Sequence, residues 1–175
     1  MVTKKGLEVN VREPDPSDAK QLMKFINPII REPMSGLPLA KPMTLKGEEE
    51  WLNGHLKEIR KREAVILLVE LDGRIAGNCH IWRSKDKHSH WAKMGIALRK
   101  DVRGMGLGEA LIIKTIALAK KRMPGLLMLE LSVFDYNPRA YSLYLKLGFV
   151  KVGTIPDAVK EGKKYYDEIM MVLRL

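Results

Sequence analysis

Residues 103–114 read RGMGLGEALIIK, with Gly104, Gly106 and Gly108 at alternate positions ahead of an apolar run. Glycine is entropically expensive and a poor helix former, so three of them at the mouth of a helix need a chemical reason. A strand ending near Leu98, a glycine turn and a helix starting near Gly108 would aim several backbone N–H groups at one spot, where the helix dipole adds partial positive charge. Such a spot holds anions, and glycine lets a phosphate approach the backbone without meeting a Cβ. Two common phosphate loops fail on spelling. No Lys-Ser or Lys-Thr follows the glycines, as a P-loop requires. Counted from Gly104 or Gly106, the third glycine of a dinucleotide fingerprint is replaced by Glu109 or Leu111.

The elements around this loop follow from pattern. Asp15 as N-cap, Pro16 at the first helical position and Asp18 in the first turn predict a helix start, followed by Leu22, Met23, Phe25 and Ile26 at helical spacing. Pro28, Pro33, Pro38 and Pro42 keep residues 27–46 from being one helix, and a loop or broken helix of that length invites a functional role. Trp51, Leu52, Leu56 and Ile59 form an apolar stripe that predicts a second helix over 48–61. Asp72-Gly73 between the apolar runs 64–71 and 74–82 predicts a hairpin, and a basic, histidine-containing connection over 83–90 leads to a third extended run, 91–98. After the glycines come a helix over 108–122, a Pro124-Gly125 break, a strand over 126–133, a helix over 138–147, Gly148 and a strand over 149–155. A charged turn over 160–164 and a strand over 165–173 close the chain. This order predicts an α+β fold in one domain over 1–175, a mixed sheet with helices on both faces.

Composition narrows the partners. With 46% apolar and 30% charged residues in 175, and no apolar stretch near the roughly 20 residues of a membrane span, the chain reads as an ordinary globular protein. Its first residues carry Lys4 and Lys5 but no apolar run of a secretory leader, so a cytoplasmic setting is the expectation. The single cysteine, Cys79, excludes an internal disulfide framework and a Cys-rich zinc site, and reads as a small core residue. His55, His80, His88 and His90 lack a metalloprotease-type pair on one helix, and no metal is expected. The net charge of +10 favours an anionic partner: nucleic acid, an anionic membrane surface or a phosphorylated cofactor. No helix concentrates Lys and Arg beside stacking aromatics, which argues against nucleic acid.

What does fit the glycines is Arg-x-x-Gly-x-Gly, carried by Arg103, Gly106 and Gly108. It resembles the acetyl-CoA signature, Gln/Arg-x-x-Gly-x-Gly/Ala, of the GCN5-related N-acetyltransferase (GNAT) family. The preface MGIALRKDVRG resembles that family's fourth strand and its connection. About 30 residues on, NPRAYSLYLKLGF resembles the family's Asn-x-x-Ala-x-x-Leu-Tyr-x-Lys-x-Gly-Phe segment through Asn137, Ala140, Leu143, Tyr144, Lys146, Gly148 and Phe149. The ending GKKYYDEIMMVLRL resembles the last strand of its small-molecule branches. The resemblance covers roughly residues 64–173. It implies a three-layer acyltransferase fold with a mixed, mostly antiparallel sheet, acetyl-CoA as cosubstrate, no metal, and direct acetyl transfer to a primary amine.

By resemblance, Arg103, Gly104, Met105, Gly106, Leu107 and Gly108 cradle the CoA pyrophosphate, with Gly104 the glycine that the pattern least requires. Ile96, Ala97 and Leu98 pair with the pantetheine arm where the family splays two strands, here 91–98 and 126–133. A backbone N–H near Leu98 is the implied oxyanion donor. Asn137 is implied to bond the amide-bearing arm, and Tyr144 to place its hydroxyl near the sulfur. Seven residues are about two helical turns, so Asn137 and Tyr144 share a face on which Ala140 leaves room. The local alternatives are an N-cap for Asn137 and a packing role for Tyr144. The amine attacks directly, and Cys79 lies outside the matched motif.

An alkylammonium titrating near 10 leaves about a thousandth as free amine at pH 7, a deficit of about 4 kcal/mol, so a base or a water chain matters. Where the ribosomal-protein branch carries a glutamate, five residues before the conserved Asn, this chain has Ser132. The remaining candidates are Glu130, His80, His88, His90 and Glu32. The acceptor is expected to meet residues 27–46, the strand hairpin and the C-terminal turn. By resemblance, Tyr165, Tyr166 and Asp167 suggest a small amine such as an amino acid or polyamine, with a peptide N-terminus as the alternative. A basic nucleic-acid-binding protein or a non-catalytic CoA-binding module is the rival class. Members of the family commonly dimerise, which makes a homodimer an expectation here too.

Overall fold

The computed structural model describes residue 6 and residues 8–175; Lys4 and Lys5, on which the leader reading rests, lie outside the described residues. The elements in chain order are β1 (Asn10–Arg12), α1 (Ala19–Ile30), α2 (Leu45–Arg60), β2 (Ala64–Leu71), β3 (Arg74–Arg83), β4 (Trp91–Leu98), α3 (Leu107–Arg122), β5 (Met128–Phe134), α4 (Pro138–Lys146), β6 (Val150–Glu161) and β7 (Lys164–Arg174). The strands hydrogen-bond as one mixed sheet in the order β1-β2-β3-β4-β5-β7-β6. By contact density the chain forms two compact units, Met1–Trp82 with Gly95–Pro124, and Arg83–Met94 with Gly125–Leu175. Among the described residues no helix is long and apolar enough to cross a membrane.

In the first unit, Asp15 and Asp18 form a reciprocal capping box around a short 3-10 turn, Pro16–Asp18, that leads directly into α1. Arg12 grips Asp18 at 2.7 Å and Glu70 at 2.7 Å, joining β1 and β2 to that helix start. The helix carries Pro28 inside its last turn, where the ring sacrifices only one backbone bond, so α1 runs on to Ile30. Residues 31–44 then have no regular secondary structure. One side chain closes the neck of this proline-rich segment: Asn27 donates Nδ2 to the Met43 carbonyl at 3.0 Å and accepts the Met43 N–H at 2.7 Å. Thr44 caps α2 by accepting the Gly47 N–H at 3.1 Å.

The β2–β3 hairpin turns at Asp72 and Gly73, both with positive φ, as an Asp-Gly turn demands. Its register sorts the two faces. Ile66 pairs with His80 and Leu68 with Asn78, and Ile66 and Leu68 pack with Leu22, Phe25, Ile29 and Leu52 of α1 and α2. Cys79, on the opposite face, interacts with Thr115 of α3. Helices therefore cover both faces of these strands, and His80 points to the α1–α2 side.

In the second unit β5, β7 and β6 are antiparallel neighbours, and β5 lies parallel to the start of β4. β6 and β7 run past the predicted 149–155 and 165–173, to Val150–Glu161 and Lys164–Arg174. β6 passes Pro156 with a register shift between Ile155 and Val159, which a sheet edge tolerates because no ladder bond is needed there. The three-residue β1 is too short to leave a period in the sequence.

Candidate active site

The glycine loop takes its shape from two left-handed residues. Gly104 at φ 81° and Gly106 at φ 79° both stand where an L side chain is strained, so Gly104, the one that the motif requires least, is demanded by the backbone. Gly106 is the N-cap of α3 and makes no side-chain cap bond. Gly108 is buried in that turn. An uncapped helix start with the dipole behind it suits an anion.

The Arg103 side chain has a structural task. Its Nε donates to the Leu98 carbonyl at 2.8 Å, and its two Nη atoms donate to Glu32 at 2.6 and 3.0 Å. The guanidinium thus ties the end of β4 to the start of the glycine loop and to the proline-rich segment.

β4 prepares its own edge. The parallel ladder with β5 runs over Trp91–Met128, Ala92–Leu129 and Lys93–Glu130, so the backbone of Ile96, Ala97 and Leu98 takes no part in it. The Leu98 side chain lies over Gly77 of β3, where an added Cβ would come within 2.4 Å of Leu98 Cδ2. Gly95, one residue before the predicted pantetheine edge, is matched in the same way to an imidazole: a Cβ there would come within 2.7 Å of His80 Cε1 and 3.0 Å of Nε2.

The five proton-acceptor candidates separate by environment. Glu32 is paired with Arg103, and Glu130 with Lys93 at 3.4 Å. His88 is exposed in the β3–β4 connection, and the His90 ring stands edge-on to Trp91 at 6.1 Å. His80 differs from all of them. Its ring stacks on Trp82 at 4.5 Å and touches Trp51 and His55 at 5.8 and 5.7 Å. Although the residue keeps some exposure, Nδ1 is sealed from solvent with no hydrogen-bond partner. Burial, and then the neighbouring His55, push its pKa down to about 3, so the ring is neutral near pH 7.

Two carboxyls escaped the sequence reading. Glu48, on the buried face of α2 with Leu52, is 5% exposed and has no partner among the described residues; burial pushes its pKa up to about 7. Glu168 of β7 accepts a short hydrogen bond from the Ser132 hydroxyl of β5. The spacing of Glu48 to Leu52, i and i+4, could have flagged the first. Nothing local could have flagged the second, because 36 residues separate the partners.

In the second unit α4 begins at Asn137, whose Oδ1 accepts the Ala140 N–H at 3.2 Å. Tyr144 is the buried residue of this helix, its ring 5.9 Å from Phe149. The local alternatives for both residues are thus realised, which leaves the Asn137 amide donors as the half of that side chain not used in the cap. Cys79 is fully buried, and burial pushes its thiol up to about 12, so it has no thiolate near neutral pH. Among the described residues no three His, Cys, Asp or Glu side chains gather as metal ligands.

The profile of the acetyltransferase (GNAT) family matches residues 26–149. A Bacillus subtilis (strain 168) protein named as a candidate ribosomal protein bS18-alanine N-acetyltransferase is 37% identical over 82 residues, 47% of this chain and 51% of that protein. The chain therefore spans about half the length of the curated relative it matches. The crystal structure of a GNAT-family acetyltransferase from Streptococcus pneumoniae superposes with a TM-score of 0.85 at 29% identity, over 96% of this chain and 100% of that one. The Salmonella typhimurium yncA protein, solved with its cofactor acetyl-CoA, superposes at 0.83 with 18% identity, over 96% and 94% of the two chains, and speaks for the fold alone. A family match over more than two thirds of the chain, on a fold shared almost end to end, shows that this chain belongs to the acetyltransferase (GNAT) family.

Proposed function

We propose that the chain works as one domain that moves an acetyl group from acetyl-CoA directly to the primary amine of a small molecule, such as an amino acid or polyamine. The observation that carries the donor half is the link from β4 to α3. Leu98 is tied to Arg103, Gly104 and Gly106 turn left-handed, and α3 starts without a side-chain cap. These features fit a pyrophosphate at the backbone of residues 103–108. Bound there, acetyl-CoA supplies the activated acetyl group as a thioester.

The chain's own residues do the rest. Ile96, Ala97 and Leu98 offer strand backbone to the pantetheine arm, and the Leu98 N–H polarises the carbonyl that is attacked. Asn137 turns its amide donors to the arm while its oxygen caps α4. Tyr144 supplies a hydroxyl to the departing thiolate. A thiol of pKa about 8.5 leaves readily, so that proton adds only modestly to the rate. The buried Cys79 thiol forms no acyl intermediate. A cytoplasmic setting suits a chain whose single cysteine is unpaired.

A second reading, acetylation of a protein N-terminus, is favoured by the 37% identity to the Bacillus subtilis protein. Ser132 replaces the glutamate of that branch, and Glu168 brings a carboxylate to the Ser132 hydroxyl. Release of free CoA from acetyl-CoA, followed across amino acids, polyamines and alanine-initiated peptides, separates the two readings. Thiol release with none of these amines, together with no thermal shift on adding CoA, overturns both.

A further inference from the structure

His80 is an expensive residue as it stands. An imidazole nitrogen sealed from water without a hydrogen bond costs on the order of 1–3 kcal/mol, and such groups in native proteins call for an explanation. The surroundings are built to hold this ring. Trp82 stacks on one side, Trp51 and His55 of α2 close another, and β4 offers Gly95, where any side chain would collide with Cε1 and Nε2. His55 is in turn held by Glu58, which meets its Nδ1 at 2.8 Å. A ring kept for packing would be served as well by Phe or Leu, without the stranded nitrogen.

Location gives the ring a task. Gly95 directly precedes Ile96–Leu98, so His80 lies against the stretch of β4 offered to the thioester arm. It also faces the α1–α2 side, where the proline-rich segment and its predicted acceptor contacts belong. Of the five proton-acceptor candidates, Glu32 and Glu130 are held by cations, and His88 and His90 belong to the β3–β4 connection.

We propose that His80, through Nε2, the ring nitrogen on the Gly95 side and not the sealed Nδ1, hydrogen-bonds the uncharged acceptor amine and takes its proton as the acetyl group is transferred. The inference rests on the acetyl-transfer reading above. The amine lone pair forms the new N–C bond at the thioester carbonyl, the C–S bond breaks, and its electron pair leaves on the CoA sulfur. The proton displaced from nitrogen goes to the imidazole. The titratable groups facing the ring are His55, with Glu58 behind it, both on α2; β3 contributes Trp82 and β4 Gly95. An imidazole buried among rings holds a proton poorly, so the proton passes on to the CoA sulfur that leaves with the electron pair.

The test measures CoA release by the whole protein from pH 6 to 10 with the best amine of the panel, for the unmodified chain, His80→Asn and His80→Gln. For a folded variant, the rate at pH 7 is expected to fall by about 10²–10⁴. The acetyl-CoA KM should stay within twofold, and the deficit should narrow as pH rises and hydroxide takes over proton removal. The glutamine variant, with a different shape, should show the same narrowing even if the asparagine variant melts early. Retention of more than a third of the rate at pH 7, or a deficit equal at every pH, overturns the assignment. So does the same pH signature in Glu168→Gln with His80→Asn unaffected. Absence of turnover in the unmodified chain overturns the acetyl-transfer reading itself, a result that the variants do not influence.

Discussion

Arg103 and Glu32, 71 residues apart in sequence, meet through two parallel hydrogen bonds of 2.6 and 3.0 Å. The loop proposed to hold the donor and a segment predicted to face the acceptor are thus held by one guanidinium. Both side chains keep about a quarter to a third of their exposure, so solvent screens the pair and about 1 kcal/mol is a fair value. Glu32→Gln should therefore lower stability by about that amount and weaken acetyl-CoA binding several-fold, since 1.4 kcal/mol is tenfold. The exchange Glu32→Arg with Arg103→Glu should recover part of the loss. Calorimetric Kd values for CoA in the single and double variants check the coupling, and strictly additive effects would dissolve it.

Gly106→Ala places a Cβ on a residue at φ 79° at the head of α3. The left-handed conformation costs a non-glycine residue roughly 1–2 kcal/mol, so the loop should relax away from its present shape. CoA affinity is expected to fall about tenfold, with the melting temperature only slightly lower. An unchanged Kd would move the anion site elsewhere.

Tyr144→Phe keeps the ring against Phe149 and removes only the hydroxyl. A good leaving thiol limits the effect, so kcat should fall about tenfold or less at unchanged CoA affinity. Tyr144→Ala, which empties a buried site, should instead cost about 3 kcal/mol of stability. Equal rates for the parent and the phenylalanine variant would leave Tyr144 with packing alone.

Glu48 makes stability depend on pH. Its folded pKa, about 7, lies above the ordinary 4.5 because burial disfavours the carboxylate. The neutral acid is accommodated fully below pH 4.5, and that contribution is lost as pH rises through 7 and the buried group must ionise. Against Glu48→Gln, which stays neutral, the parent should lose on the order of 2–3 kcal/mol between pH 5 and 8. Urea unfolding at the two pH values measures it, and parallel curves would mean that the carboxyl is not taxed by burial.

Local chemistry was legible in the sequence wherever a few neighbouring residues decide the structure. The Asp15 cap, the Asp72-Gly73 turn, the Arg103–Gly108 motif and the helix behind it all lie within short windows. The split of β4 from β5 was expected through resemblance, and the observed ladder stops at Lys93. What stayed hidden depends on partners far apart in the chain. Glu32 looked like a free base until Arg103 arrived from 71 residues away, and the Ser132–Glu168 contact needs the β5–β7 register. His80 was one histidine among four, because only the β2–β3 register and α2 bring Trp51, His55 and Trp82 around it.

Asn27 and Met43 bear on how such a protein diversifies. With two hydrogen bonds from a single amide, the segment between them is pinched shut at its base, as a strand ladder pins a hairpin. Residues 31–41 can then lengthen, shorten or change composition while α1 and α2 keep their places, since closing a somewhat longer loop adds only a few tenths of a kcal/mol. The neck turns the proline-rich segment into an exchangeable cassette. Grafting it from one member of the family to another, with the amine panel as readout, would show whether the segment sets the amine preference on an unaltered frame.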